Sequence, residues 1–425
     1  MSDLLLLLVA VALPCWYVRK RCISGGWVRI DHVATFTFGY LFYWITPLAV
    51  RSSASRLKFP LSDTWLSLFR ERLVAPYALS CLALYACFAL GDSVAVRLCG
   101  RRTATASRRV PRLALSMVMT AACLLLVCTA YVFRSALFRP AQPGDLAAQA
   151  ARGAVTTCVV LLGVVCLIFT LDRPEMSWKR RLCSRYFLSF IAGCLLLLWS
   201  GSRLYVASFL VMFAVYRSSF RRPFRLRTAI AAGLVLAVLF GAIGMWREGS
   251  PLSGSMFNVL EEPMLNSLSL VYHLRHHGIA WINFPGQLAR DFLNLAPSLL
   301  VPHKFLALKK LPVYMPLGGL NSFVSFNLNF GLLGSAVFLF FWPVLFRSLL
   351  SRSYSTLAAT MYIMCSGWLA FTFFRDPFSV SLVKAIVQDS IVMPAMVVAL
   401  GWLLSEACPP LPELGVVPEP PVEAH

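Results

Sequence analysis

FLSFIAGCLLLLWSGSRLYVASFLVMFAVYR, residues 187–217, decides the fold, because two apolar runs are joined there by Ser200-Gly201-Ser202-Arg203 alone. That is too little chain for anything but a tight turn between two helices. Each run approaches the roughly 20 apolar residues that cross a bilayer as a helix. The turn fixes Arg203 at one end of the hairpin.

The same pattern recurs in both directions along the 425 residues. Apolar runs of helical length fall near residues 3–18, 32–50, 74–96, 112–133, 153–171, 183–199, 203–217, 227–245, 323–346, 355–374 and 384–405. The expected fold is therefore an all-α, polytopic integral membrane protein with about eleven transmembrane helices. Its expected parts are helices 1 to 8 in residues 1–245, a large outer loop in 246–322, helices 9 to 11 in 323–405, and a disordered Pro-rich tail in 406–425.

The composition agrees: 59% of residues are hydrophobic and only 13% charged, where a soluble domain carries about a quarter. The net charge of +21 could suggest a nucleic-acid partner. None is expected, because the arginines cluster in short loops between apolar runs rather than on one basic face with interleaved aromatics. Such clusters orient helices by the positive-inside rule. The first run starts at Asp3 and ends on Arg19, Lys20 and Arg21, the reverse of a cleavable signal peptide. It is expected to be retained with the N-terminus periplasmic. Alternation then places Arg97 to Arg112, Lys179 to Arg185 and Arg217 to Arg227 in the cytoplasm, together with the C-terminus. The basic residues Arg51, Arg56, Lys58, Arg70 and Arg72 fall outside and run against that bias. None of the thirteen cysteines falls in an expected outer loop, so no disulfide is expected.

The outer segment between helices 8 and 9 has its own organisation. Glu261-Glu262-Pro263 reads as a helix start, with acids at the positive end of the dipole. Met264, Leu265, Leu268, Val271, Tyr272 and Arg275 continue at helical spacing, so an amphipathic helix lying on the membrane is expected. His273, His276 and His277 have spacings suited to a metal, but no cysteine or nearby acid completes a ligand set, and no metal or other cofactor is expected. A short helix around Arg290 and Asp291, a proline-bounded apolar stretch and the pair His303-Lys304 follow. Arg375-Asp376-Pro377 sits at the outer mouth of helix ten, and Asp389 lies just inside helix eleven. Neither an Asp-x-Asp pair nor a Walker phosphate loop is present, which argues against a metal-dependent nucleotide-sugar transferase and against ATP use. Asp92 and Asp389 lie near the ends of apolar runs, whereas ion-coupled transporters usually carry acids at mid-membrane.

Pro297, Pro302 and Lys304, followed by Asn329-Phe330-Gly331-x-x-Gly334 entering a helix, resemble the closing signature of Wzy-type O-antigen and oligosaccharide repeat-unit polymerases. Gly201-Ser202-Arg203 resembles a motif that these enzymes and the related O-antigen ligases carry several helices earlier. The resemblance covers residues 183–346. Arg275 to Gly286 has the Arg, ten residues, Gly spacing described for outer loops of some members, and a second such loop is not evident.

The resemblance implies a metal-independent inverting glycosyltransferase in the bacterial inner membrane. It would polymerise oligosaccharide repeat units linked to undecaprenyl diphosphate at the periplasmic face, with a chain-length-regulating membrane protein as a candidate partner. Diphosphate binding is then expected from Arg203, Arg290, Lys304, Arg375 and Arg275, since a leaving diphosphate without a metal needs basic side chains. The general base is expected among Asp291, Glu261, His303 and Asp376. An O-antigen ligase acting on a lipid A core, and a non-enzymatic flippase or transporter of lipid-linked sugars, are the alternatives.

Overall fold

The structure, a computed structural model, describes residues 3–50, 71–100, 109–137, 146–200, 202–248, 258–293 and 319–407. Every expected apolar run is helical there: Asp3–Cys22, His32–Val50, Glu71–Leu98, Arg112–Val132, Leu146–Asp172, Arg185–Trp199, Arg203–Phe220, Leu226–Glu248, Ser322–Ser351, Thr356–Trp368 and a last stretch from Ser379 to Ala407. Six helices are long and apolar enough to cross a membrane: those over His32–Val50, Leu73–Leu98, Arg112–Val132, Ala151–Asp172, Ser322–Ser351 and Ser379–Ser405. The protein is an all-α membrane protein. Its outward faces are apolar, as lipid requires: Leu124, Leu125, Val127 and Val132 of Arg112–Val132 are all exposed. Two-residue strands at Ile23–Ser24, Trp27–Val28 and Phe224–Arg225 form a small antiparallel ribbon at one end of the bundle.

The helix Glu71–Leu98 packs along Ser322–Ser351, and Gly91 sets how closely. A Cβ there would overlap the carbonyl oxygen of Phe340 in the neighbouring backbone. Gly91→Ala is expected to destabilise the protein by about 1–3 kcal/mol, as overpacking generally does. Gly153→Ala, with no neighbour near its Cβ, should be neutral or stabilising. Thermal unfolding of the two variants in detergent compares them directly, and equal melting temperatures would refute the tight crossing.

A buried charge cluster ties four helices near the ribbon end. Asp92 accepts from Arg347 through both carboxylate oxygens, at 2.7 and 3.1 Å, and from Arg21 at 3.2 Å. It also accepts from the Tyr17 hydroxyl at 2.8 Å and lies 3.1 Å from Nε2 of His32. Asp31 caps the His32 helix by accepting from the backbone N–H groups of Val33 and Ala34.

Three departures from the expected helices have local causes. In His32–Val50 the turns Tyr40–Ile45 are π-helical just before Pro47, which has no N–H to donate. The carbonyl of Tyr43, four residues before Pro47, accepts instead from Asn321 Nδ2, and that of Trp44 accepts from the Tyr77 hydroxyl. The run expected over 355–374 stops as a helix at Trp368 and resumes only as Thr372–Arg375. Residues 369–374 stay apolar, so hydropathy passes over the break, and Asp376 is extended because Pro377 follows it. The last run begins at Ser379 rather than 384, and its first part, Ser379–Val392, is π-helical with Asp389 buried inside it.

The helix Asn258–His276 uses its apolar face differently from expectation. Met264, Leu268, Leu270, Val271 and Leu274 are buried against the protein. The helix therefore docks onto the bundle instead of resting that face on lipid.

Candidate functional site: a charged mouth on an apolar groove

Gly331 breaks the Ser322–Ser351 helix at φ 64°, a conformation that L side chains rarely adopt, and the chain at Trp281 and Ile282 approaches so closely that any Cβ would collide with it. The backbone groups released by the kink are taken up by that segment. Leu332 N–H donates to Ala280 O at 2.8 Å, and Leu333 N–H to Trp281 O at 3.0 Å. The Asn-rich approach to the kink completes the clamp. Asn327 Oδ1 accepts from Ala280 N–H while Asn327 Nδ2 donates to Ala280 O, and Asn329 Oδ1 accepts from Leu288 N–H at 2.8 Å, in the first turn of helix Gly286–Leu293. Asn329, Phe330 and Gly331 therefore act here as scaffold: with Asn327 they hold the segment from Ala280 to Leu288 to the bundle.

His273 is part of that clamp. Its Nε2 lies 3.0 Å from Asn327 Oδ1, which is an acceptor only, so Nε2 carries the proton. Burial lowers the His273 pKa, the Asn327 contact opposes this, and the neighbouring His277 adds to it; the ring is neutral at pH 7.

Further along the same helix, Glu262, Asn266, Ser269 and His273 recur at spacings of four, three and four and share one face. Glu262 meets two of the expected diphosphate-binding arginines. Its Oε1 pairs with Arg375 Nε, and its Oε2 lies 3.5 Å from an Arg203 guanidinium nitrogen. Arg375 also donates to Asp376 at 2.8 Å, and its backbone carbonyl is held by Asn266 Nδ2 and Leu320 N–H. Four groups from three distant stretches of sequence thus form one chain: Arg203, Glu262, and the neighbours Arg375 and Asp376.

The electrostatics distinguish the two carboxylates. Burial pushes Glu262 up, but Arg375 and Arg203 outweigh it and hold its carboxyl below the usual range. Burial also pushes Asp376 up, and there the single arginine does not fully offset it. Arg375 loses some proton affinity to burial and regains more from Glu262 and Asp376, so it stays charged. Beside Arg203, the cluster thus holds one firm cation, Arg375, one firm anion, Glu262, and one softened acid, Asp376.

Arg203 and Glu262 also close one end of a cavity of about 480 Å³. It runs along helix Arg203–Phe220, past Ala207, Leu210 and Ala214, to Ile30 and Phe224 beside the ribbon. The far wall is Ala229, Ala232, Gly233 and Leu236 of helix Leu226–Glu248, and small residues on both sides keep the groove open. Along helix Arg203–Phe220 the lining runs from Arg203 to Ala214, about 17 Å at 1.5 Å per residue, or roughly half the thickness of a bilayer core. Among the described residues, the groove's only charged lining is Arg203 and Glu262.

Of the residues expected from sequence, the structure brings Arg203, Arg375 and Asp376 together. Arg275 is exposed at the other end of the Asn258–His276 helix, about 20 Å along its axis from Glu262, and does not join them. Glu261, Arg290 and Asp291 lie on described helices, but their side chains are outside the described residues, as are His303 and Lys304 altogether. The residue that sequence reasoning missed is Glu262, noted only as a helix-start acid. Helical phase was the available signal, because Glu262 and not Glu261 is in register with Asn266, Ser269 and His273. No family model, no characterised relative and no solved structure matches the chain.

Proposed function

We propose that the protein binds a lipid-linked diphosphate and polymerises the oligosaccharide repeat units it carries. The observation that supports this most directly is the apolar groove with Arg203 at one end and a second arginine, Arg375, joined to it through Glu262. An amphiphile with an anionic head and a long hydrocarbon tail fits that arrangement. A guanidinium pair suits a diphosphate, because each planar fork can donate two parallel hydrogen bonds to phosphate oxygens. The sequence resemblance narrows the amphiphile to undecaprenyl diphosphate carrying an oligosaccharide.

On this reading the chain is an enzyme of the bacterial inner membrane, a metal-independent inverting glycosyltransferase that makes O-antigen or a related surface polysaccharide. All eleven helical runs cross the bilayer, the N-terminus is periplasmic and the C-terminus cytoplasmic. The segment between Glu248 and Ser322 is then a large periplasmic loop, and the Arg203 end of the groove faces the periplasm. Arg203 and Arg375 stabilise charge on the leaving diphosphate. Arg290 and Lys304 remain candidate contacts from the same loop, and a chain-length regulator a candidate partner.

Deletion of the gene tests the reading. Without a polymerase, export and ligation continue, so lipopolysaccharide is expected to carry the core plus a single repeat unit. In a host whose glycan is not joined to lipid A, lipid-linked single repeats should accumulate instead. A bare core with accumulated lipid-linked polymer would identify a ligase. Loss of both the long chains and the single-repeat form would identify a flippase.

A further inference from the structure

Glu262 holds one arginine on each carboxylate oxygen, much as two oxygens of a diphosphate would. The two contacts are unequal: Arg375 is in close contact and is shared with Asp376, while Arg203 stands 3.5 Å away. Both Arg203 and Glu262 face the groove, with about a fifth of each side chain exposed. Arg203 is therefore the partner that an incoming anion in the groove can take from Glu262 while Arg375 stays in place.

We propose that Glu262 is the exchangeable counter-anion of this site and, once a diphosphate has taken Arg203, the general base for the acceptor hydroxyl. The inference rests on the reading of the site as a diphosphate site. In the resting protein the two arginines make Glu262 a poor base. Seating the donor moves one of those charges onto phosphate oxygens and leaves Glu262 Oε2 facing the groove mouth. The acceptor O–H bond then breaks with its proton going to Oε2, and the acceptor oxygen bonds to the anomeric carbon. The bond from that carbon to the phosphate oxygen breaks, and its electron pair leaves on the diphosphate beside Arg203. The proton passes from Glu262 to water when the product leaves. Donor binding thus switches on the base, so the acceptor is activated only when a leaving group is in place.

The test uses full-length protein in detergent, with geranylgeranyl diphosphate as a sugar-free binding probe and lipid-linked repeat units for chain extension. Glu262→Gln removes the competing anion, so the probe should bind about two- to fivefold tighter, the scale of one or two partly exposed ion pairs. Chain extension should fall by roughly 10²- to 10⁴-fold, the usual contribution of a general base. Tighter binding with lost turnover is a split that a merely structural glutamate would not produce. Weaker probe binding in Glu262→Gln would make Glu262 a scaffold for Arg203, and undiminished extension would remove the base; either overturns the proposal. If Glu262→Gln does not fold, Glu262→Asp decides, because the shorter acid retreats from Arg203 yet remains a base. Tighter binding with partial extension supports the proposal, and unchanged binding overturns it. Failure of the wild-type protein to bind the probe would instead defeat the diphosphate reading itself, and the inference with it.

Discussion

Arg203→Ala is expected to lower chain extension by about 10³-fold, the scale on which enzymes lose rate when a charge-stabilising donor at the leaving group is removed. Protein amount should stay near normal, because Glu262 keeps Arg375 as a partner when Arg203 is lost. Arg203→Lys should restore little, since a point charge cannot reproduce the two-pronged contact of a guanidinium with a diphosphate. In vitro extension of lipid-linked repeat units, normalised to the enzyme present by immunoblot, measures this. Full extension by the alanine variant at equal expression would reduce Arg203 to a side chain that anchors a helix at the membrane interface.

Asp92→Ala is expected to have the largest effect on stability, about 3–5 kcal/mol, because it strands cations inside the bundle. Arg347 is only 12% exposed, so its guanidinium gains little water when the carboxylate is removed, and the fully buried His32 loses a hydrogen-bond partner. Arg21 is more exposed and turns outward more easily. Replacing both members of the bidentate pair, Asp92→Leu with Arg347→Met, should recover most of the loss, since well-packed apolar residues often match a buried ion pair. Thermal unfolding in detergent and the amount of protein in membranes report both effects. A near-normal melting temperature for Asp92→Ala would show that the cluster does not hold these four helices.

The two charge clusters have different characters, and the contrast bears on function. Around Asp92 every contact is internal, and no charged member lines the apolar groove. Around Glu262 the contacts are uneven and open onto that groove. A closed network rigidifies, whereas an uneven one at a cavity mouth can exchange a partner. Sequence hydropathy ranked Asp92 as an acid near the end of a run and passed over Glu262.

By itself the sequence determined that the chain is helical and bound to the membrane, and roughly where its apolar helices run. Transfer of an apolar run into lipid depends almost entirely on that run's own residues, so it sums along the chain. Where backbone hydrogen bonding overrides hydropathy, as before Pro47, after Trp368 and at Gly331, only the folded structure located the break. The site needed the tertiary structure still more. Arg375 and Glu262 are 113 residues apart, and Arg347 and Asp92 are 255 apart. Which cation meets which anion follows from helix packing and rotational phase, set by contacts such as Gly91 against Phe340 and Asn327 against Ala280. A single acid displaced by one residue, Glu261 against Glu262, points about 100° away on a helix. That rotation is invisible to composition, and it decides which carboxylate the arginines find.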